Sequence, residues 1–494
     1  MLRKIRITLA MIFFIGITLL FLDFTGVIHA WLGWMAKVQL LPAVMALNLG
    51  VIVTLIVLTI LLGRVYCSVI CPLGVMQDLF GWMGKKQKKN RYTYSLAKNK
   101  LRYAMLIVMI VSIIFGIGSI VALLAPYSSY GRIAQNLFSP IWNYCNNLLA
   151  ELAVRHESYA FYSVDVWIRS GMTFGIAIVT FVVLGILAWR NGRTYCNTIC
   201  PVGTILGFLS KYSLFKPVID TSKCNGCGLC ARNCKASCID SKNHKIDYSR
   251  CVACMDCIGK CRKNAISYSR RKVNIDKQLD TTKPVGSSRR NFLTTTIAIG
   301  TTTVLHSEEK TVDGGLAVIT DKKIPVRKTQ LVPPGAISLR HLTKHCTGCQ
   351  LCVAACPNGV LRPSSDLDTL MQPRSSYERG YCRPECTKCS EVCPAGAIIK
   401  LDRSEKSSVQ IGHAVWVKNN CVPLTDGVEC GNCARHCPVS AIQMIPSDKD
   451  NPDSPKIPVV NDERCIGCGA CENLCPARPF SAIYVEGHEN HRII

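Results

Sequence analysis

The chain has 494 residues, 30 cysteines and a formal net charge of +26 at pH 7, long enough for several domains. Six groups of four and two Cys-x3-Cys pairs take up 28 of the cysteines; such crowding excludes a disulfide scaffold, whose benefit comes from closing long loops, and favours metal. The charge does not imply nucleic acid, because clusters held by four thiolates are negative and offset part of it, and no RNA- or DNA-binding motif is present.

The first predicted elements are apolar. Ile7–Leu22, Leu40–Leu62, Tyr103–Ala125 and Ser170–Trp189 contain no Asp, Glu, Lys or Arg, and a bilayer crossing needs about 20 such residues. The last three reach that length outright and the first reaches it with its flanks. No small-residue cleavage site follows Leu22, so the first reads as a span rather than a cleaved signal. The connection between spans two and three carries Arg64, Lys85, Lys86, Lys88, Lys89, Arg91, Lys98, Lys100 and Arg102, whereas Lys37 is alone between spans one and two. That asymmetry puts the basic loop in the cytoplasm, together with the N-terminus and its Arg3, Lys4 and Arg6.

The outer connections offer His29, Trp31, Trp34, Lys37 and Gln39, then Tyr127, Tyr130 and Arg132, groups that could stack on or hydrogen-bond a quinol. Aromatic belts at a membrane interface account for most of them equally well. At the inner ends of spans two and four an internal duplication reads Gly63-Arg64-Val65-Tyr66-Cys67-x3-Cys71-Pro72-Leu73-Gly74 and Gly192-Arg193-Thr194-Tyr195-Cys196-x3-Cys200-Pro201-Val202-Gly203. Thiols at i and i+4 share a helical face, and two such pairs brought together give four thiolates, enough for a metal or a dithiol redox site.

Residues 1–215 are thus read as a four-span membrane domain and residues 216–274 as a two-cluster ferredoxin domain. The latter holds Cys224, Cys227, Cys230, Cys234 and Cys251, Cys254, Cys257, Cys261. Three cysteines two residues apart let one tight loop wrap three corners of a [4Fe-4S] cubane, and the fourth reaches the neighbouring cluster. Cys261 therefore joins Cys224, Cys227 and Cys230, and Cys234 joins Cys251, Cys254 and Cys257. Cys145 and Cys238 belong to no group and read as bystanders.

A linker, 275–310, carries Ser288-Arg289-Arg290-Asn291-Phe292-Leu293 before a mildly apolar stretch, Phe292–Leu305. It resembles a twin-arginine export signal; an ordinary basic linker before a short buried helix is the alternative. Residues 311–494 repeat the cluster theme at Cys346, Cys349, Cys352, Cys356; Cys382, Cys386, Cys389, Cys393; Cys421, Cys430, Cys433, Cys437; and Cys465, Cys468, Cys471, Cys475. In all four the last cysteine precedes proline, which stops the helix, and the apolar runs Gly359–Leu361, Ala397–Ile399 and Ala441–Ile442 fit short strands. Cys421, separated from Cys430 by eight residues, is the least secure ligand. Zinc, the other taker of four thiolates, is normally held by two separated Cys-x2-Cys pairs. The fold class is then an α-helical membrane bundle of four spans, with a short fifth crossing at Phe292–Leu305, plus α+β ferredoxin-like domains carrying six [4Fe-4S] clusters.

On these motifs the first 275 residues resemble the NapH membrane ferredoxins. The last 200, with the twin-arginine signal and Pro333-Pro334-Gly335-Ala336 before the first cysteine, are similar to the NapG and MauM ferredoxin-type proteins. The resemblance to a NapH–NapG fusion implies a bacterial inner-membrane electron carrier, in the manner of a quinol dehydrogenase, working between quinol and a periplasmic reductase or cytochrome. Similarity to polyferredoxin subunits implies nested ligation in the last domain: Cys475 with Cys346, Cys349 and Cys352; Cys356 with Cys465, Cys468 and Cys471; Cys437 with Cys382, Cys386 and Cys389; Cys393 with Cys421, Cys430 and Cys433. CcoG-like relatives of the duplicated motif imply the competing role, a maturation factor for a metalloenzyme. No molybdopterin domain or Cys-x2-Cys-His haem motif is present to supply a terminal reductase.

Overall fold

The computed structural model describes residues 2–87, 92–270, 311–312, 317–318 and 320–494. The twin-arginine motif and the proposed fifth crossing lie outside the described residues.

Four long helices form from the apolar stretches: Leu2–Leu22, Leu49–Leu62, Asn99–Phe115 and Gly171–Asn191. Their starts and stops are written in the sequence. Asn48 accepts from the Val51 amide at 3.3 Å and Ser170 accepts from that of Thr173 at 3.5 Å, supplying side-chain N-caps. The last three helices end at Gly63, Gly116 and Gly192, each with φ near +70°, a conformation that costs glycine nothing.

The same signals shorten two predicted spans. Leu40–Leu62 breaks into Leu40–Met45 and Leu49–Leu62, and Tyr103–Ala125 breaks at Gly116 into Asn99–Phe115 and Gly118–Leu124. A helix of 14 residues is only about 21 Å long, against a hydrocarbon core of about 30 Å. Among the described residues, two helices are long and apolar enough to cross a membrane, Leu2–Leu22 and Gly171–Asn191.

The cysteine-rich segments make two modules, one at each end of this bundle. At one end Arg3 donates to Asp256 (2.7 Å), Tyr268 to the Leu62 carbonyl (2.8 Å) and Arg102 to Ser249 (3.1 Å). At the other, Ala46 meets Gly396, Gly116 meets the Lys344 side chain, and Ser170 lies 3.5 Å from Ser365. Each long helix therefore starts against one module and finishes against the other.

The sheets are small, two-stranded and antiparallel. Phe215–Ile219 pairs with Ile266–Arg270 and closes the first module around both cysteine groups. In the second module Val409–Trp416 pairs with Ile483–Ile493, and Ile442–Pro446 with Lys456–Val460. The strands expected after Val360 and Ala441 form as Leu361–Pro363 and Ile442–Pro446. Ala397–Ile399 is not a strand: Ala397 and Ile398 are core residues, and the Ile399 amide donates to the Gly335 carbonyl at 2.9 Å. One apolar core runs from the bundle into both modules, and a second occupies the far half of the C-terminal module.

Candidate metal centres

None of the 30 cysteines forms a disulfide. In the first module Cys224, Cys227, Cys230 and Cys261 line one cavity of about 310 Å³. Gly226 and Gly228, at φ of 66° and 71°, bend the loop that carries the first three. Burial pushes the Cys257 thiol up, and Cys254, Cys251, Cys234 and Cys230 add to the push; Cys238 contacts both Cys234 and Cys251, which sets Cys234 beside the second group.

Cys238 is no bystander. It is buried, its Sγ lies 3.5 Å from that of Cys234, and it also bonds Cys251. The Cys238 contact holds the Cys234 thiol down at about 7. Its signal in the sequence is weak, since nothing in a Cys-x3-Cys step after a complete group tells a ligand neighbour from a core thiol. Cys145 is exposed and stands apart.

The C-terminal module corrects the nested ligation. Burial raises Cys346, Cys349 and Cys352, and Cys393 is the one cysteine outside their loop that acts on all three. Cys356 acts in turn on Cys382 and Cys389. Cys421, Cys430, Cys433 and Cys475 line a single cavity, which brings in the ligand with the unusual spacing, and Cys437 acts on Cys465 and Cys468. Sequence-adjacent groups therefore exchange their fourth cysteines. The cause is packing: the Leu351–Ala354 helix lies on Lys388–Val392 and the Asn432–Arg435 helix on Ala470–Leu474, so each fourth cysteine faces the loop beside it.

These sets fit cubane clusters. Backbone amides donate to sulfur at Cys346, Cys261, Cys437 and Cys475, from 3.2 to 3.4 Å, as a charged thiolate requires. Among the described residues no group of His, Cys, Asp or Glu converges closely enough for a single metal ion. Iron analysis of the purified protein is expected to give about 24 atoms with matching sulfide; half that value with stoichiometric zinc would overturn the assignment.

The duplicated motifs come together as a buried quartet of Cys67, Cys71, Cys196 and Cys200. Their arginines cross over. Arg193 donates to the Cys67 carbonyl (2.6 Å), while Arg64 donates to the Cys196 carbonyl (3.2 Å) and to Asn197 (2.8 Å). A Cβ on Gly74 would overlap the Cys67 carbonyl and Arg193, and one on Gly203 would overlap the Cys196 carbonyl and Arg64, which explains the glycine closing each motif. Tyr66 donates to Gln39 (3.0 Å), at the start of the Leu40–Met45 helix, and its counterpart Tyr195 donates to the Leu124 carbonyl (3.4 Å).

Charge decides what the quartet can hold. Burial pushes the Cys71 and Cys200 thiols up, and the other quartet thiols push the same way. Arg64 is fully buried and has no carboxylate partner among the described residues, and its Nε has no partner at all. Arg64 Nη2 lies 3.7 Å from Cys67 Sγ, Arg193 Nη1 lies 3.9 Å from Cys196 Sγ, and Gln77 donates to Cys196 at 3.4 Å. Buried charges are normally paired; Arg193 has Asp78 at 2.6 Å, so it is Arg64 whose charge fits an anionic thiolate-held group.

The groups considered for a quinol are split up. His29 is tied to Asp23 (3.0 Å), Gln39 and Tyr130 are buried in side-chain hydrogen bonds, and Arg132 bonds the Ala122 carbonyl and Ser129. Trp31 and Trp34 are exposed on the surface.

Comparison with known proteins agrees with these centres. A 4Fe-4S binding domain matches residues 44–90 and 172–220, the segments holding the quartet, and 4Fe-4S dicluster domains match 345–398 and 428–478. The first dicluster match spans the exchanged pair of Cys346 to Cys393, and the second spans Cys430 to Cys475, leaving Cys421 outside. The methylamine utilization ferredoxin-type protein MauM of Paracoccus denitrificans is 34% identical over 167 residues, 32% of this chain and 73% of that protein. The ferredoxin-type protein NapG of Escherichia coli K12 is 31% identical over 157 residues, 30% of this chain and 66% of its own. NapF of the same strain is 28% identical over 157 residues, 32% of this chain and 86% of its own. No solved structure matches.

Proposed function

Since this chain belongs to the ferredoxin-type iron–sulfur electron-transfer family of MauM, NapG and NapF, we propose that it is an inner-membrane conduit passing electrons between the quinol pool and a periplasmic redox partner. The observation that carries this reading is the placement of two ferredoxin modules at opposite ends of one bundle, with a buried thiol quartet inside it. Bound clusters supply one-electron transfer without bond rearrangement. The chain's residues would hold their iron through thiolates and donate backbone amides to the sulfurs.

In this reading a NapH-type membrane part is joined to a NapG- or MauM-type part, and all four long helices anchor it. The short second and third helices suit a bilayer thinned where the Leu40–Met45 and Pro126–Ile133 helices enter the bundle. The competing role, a CcoG-like maturation factor, needs thiols that a cargo metal can reach, whereas each quartet cysteine is 4% exposed.

Clusters are inserted by cytoplasmic machinery, so a periplasmic cluster domain must cross already folded, the route a twin-arginine address provides. Protease added to intact spheroplasts should therefore remove the C-terminal module, and changing Arg289 and Arg290 to lysine should abolish that sensitivity. Protection of the module in the unmodified protein would place all six clusters in the cytoplasm and overturn the two-faced arrangement.

A further inference from the structure

We propose that a cavity between the Leu2–Leu22 helix and the Pro72–Gln87 helix is the binding site for the head of an isoprenoid quinone. The proposal rests on the quinol-linked function above and gives it a place. The cavity has a volume of about 370 Å³, within the range of small-molecule sites. Its wall is apolar, made by Ile7, Met11, Phe14, Leu79 and Trp82, and its polar end is made by Arg6, Asp78, Lys235 and Asp256. Four of the five wall residues, Ile7, Met11, Leu79 and Trp82, are exposed on the outside of the bundle, where a lipid-soluble tail can enter from the side.

The polar end offers hydrogen-bond donors held in place by ion pairs. Arg6 pairs with Asp78 at 3.0 Å, and Lys235 bridges Asp78 at 2.9 Å and Asp256 at 3.2 Å. Asp78 is shared with Arg193 and Asp256 with Arg3, so the ionic groups at this end are fixed by one another and present their remaining N–H donors to the cavity. Arg6 retains a buried Nε donor with no partner, the kind of group a quinone carbonyl accepts from. Arg3, mostly exposed, and Lys85 also line the cavity and are the groups an anionic phospholipid would use instead.

Position separates a redox ligand from a structural lipid. Lys235 follows Cys234 and Asp256 precedes Cys257 in sequence, and both cysteines belong to one predicted cluster set. A head seated on these side chains lies against the loops that hold that cluster. The groups first considered for this task, His29 through Arg132 in the outer connections, lie toward the other end of the bundle.

The test is photoaffinity labelling of the full-length protein in nanodiscs with an azido-ubiquinone carrying a two-isoprene tail, mapped by peptide mass spectrometry. Saturable labelling is expected on peptides containing Met11 or Trp82, displaced by unlabelled ubiquinone. The double variant Met11→Trp and Leu79→Trp, which fills the cavity from its exposed wall, should weaken labelling at least tenfold with iron content unchanged. Arg6→Gln should weaken it while leaving the wall intact. Saturable labelling elsewhere, indifferent to these variants, would sink this site and leave the quinol reading standing. No saturable labelling anywhere would sink both. Displacement by phosphatidylglycerol but not by ubiquinone would make the cavity a lipid site and overturn the proposal.

Discussion

Replacing Asp78 with alanine is expected to lower stability by about 3–5 kcal/mol, the usual cost of stranding buried charges. Asp78 is the carboxylate on which three cations meet: Arg193 at 2.6 Å, Lys235 at 2.9 Å and Arg6 at 3.0 Å. Burial by itself would raise its pKa, but Arg193 and Lys235 outweigh burial and hold the carboxyl well below the usual range. Without it Arg193 keeps its bond to the Cys67 carbonyl but has no counter-charge, and Lys235 retains Asp256 alone. A depressed acid stabilises the fold at pH values above its unfolded pKa, near 4, and the contribution fades as pH falls below that. Thermal unfolding in detergent should therefore show a large loss for Asp78→Ala at pH 7, smaller for Asp78→Asn, which keeps the shape, with the gap to the parent starting to narrow only below about pH 4 and closing as pH falls toward the carboxyl's own depressed pKa. An Asp78→Ala protein that melts with the parent at pH 7 would mean the cations find other partners.

The local chemistry was legible in the sequence and the long-range geometry was less so. Spacing alone identified the ferredoxin-type groups and set the crossing of Cys234 and Cys261 as an expectation, because both follow from how far one tight loop reaches. The duplication likewise marked Cys67, Cys71, Cys196 and Cys200 as two pairs that would make a four-thiol site if packed together. It did not announce the exchange of Arg64 and Arg193, because which motif an arginine serves depends on two helices more than 100 residues apart, and the 115 residues between Asp78 and Arg193 hid that pair in the same way. Apolar length overstated two spans: hydropathy registers Asn48 and Gly116 as mild interruptions, whereas the backbone uses them as a cap and a stop. Cys238 was passed over because a complete group of four stood before it.

Ligand exchange in the C-terminal module gives the second large effect, and double substitutions read it directly. If Cys393 completes the set of Cys346, Cys349 and Cys352, then Cys346→Ala, Cys393→Ala and the two combined should all lose the same cluster, about four irons. Combining Cys346→Ala with Cys475→Ala should instead lose two clusters, about eight irons, because Cys475 lines the cavity of Cys421, Cys430 and Cys433. Nested ligation expects the reverse, with Cys346 and Cys475 non-additive and Cys346 and Cys393 additive. Non-additivity within a shared site and additivity between separate ones is the general behaviour of coupled residues, so the comparison does not depend on how badly any one variant folds. The two arrangements also place damage differently. Cys349 adjoins Gly131 in the bundle, and the Ser128 hydroxyl donates to the Thr347 carbonyl at 2.6 Å, so the cluster of Cys393 is the one next to the helices. The cavity of Cys475 belongs to the second core, away from them. Cys393→Ala should therefore interrupt reduction of every cluster beyond the bundle when electrons enter from the first module, whereas Cys475→Ala should leave the others reducible. Loss of reducibility throughout the C-terminal module in Cys475→Ala would restore the nested order and refute the adjacent one.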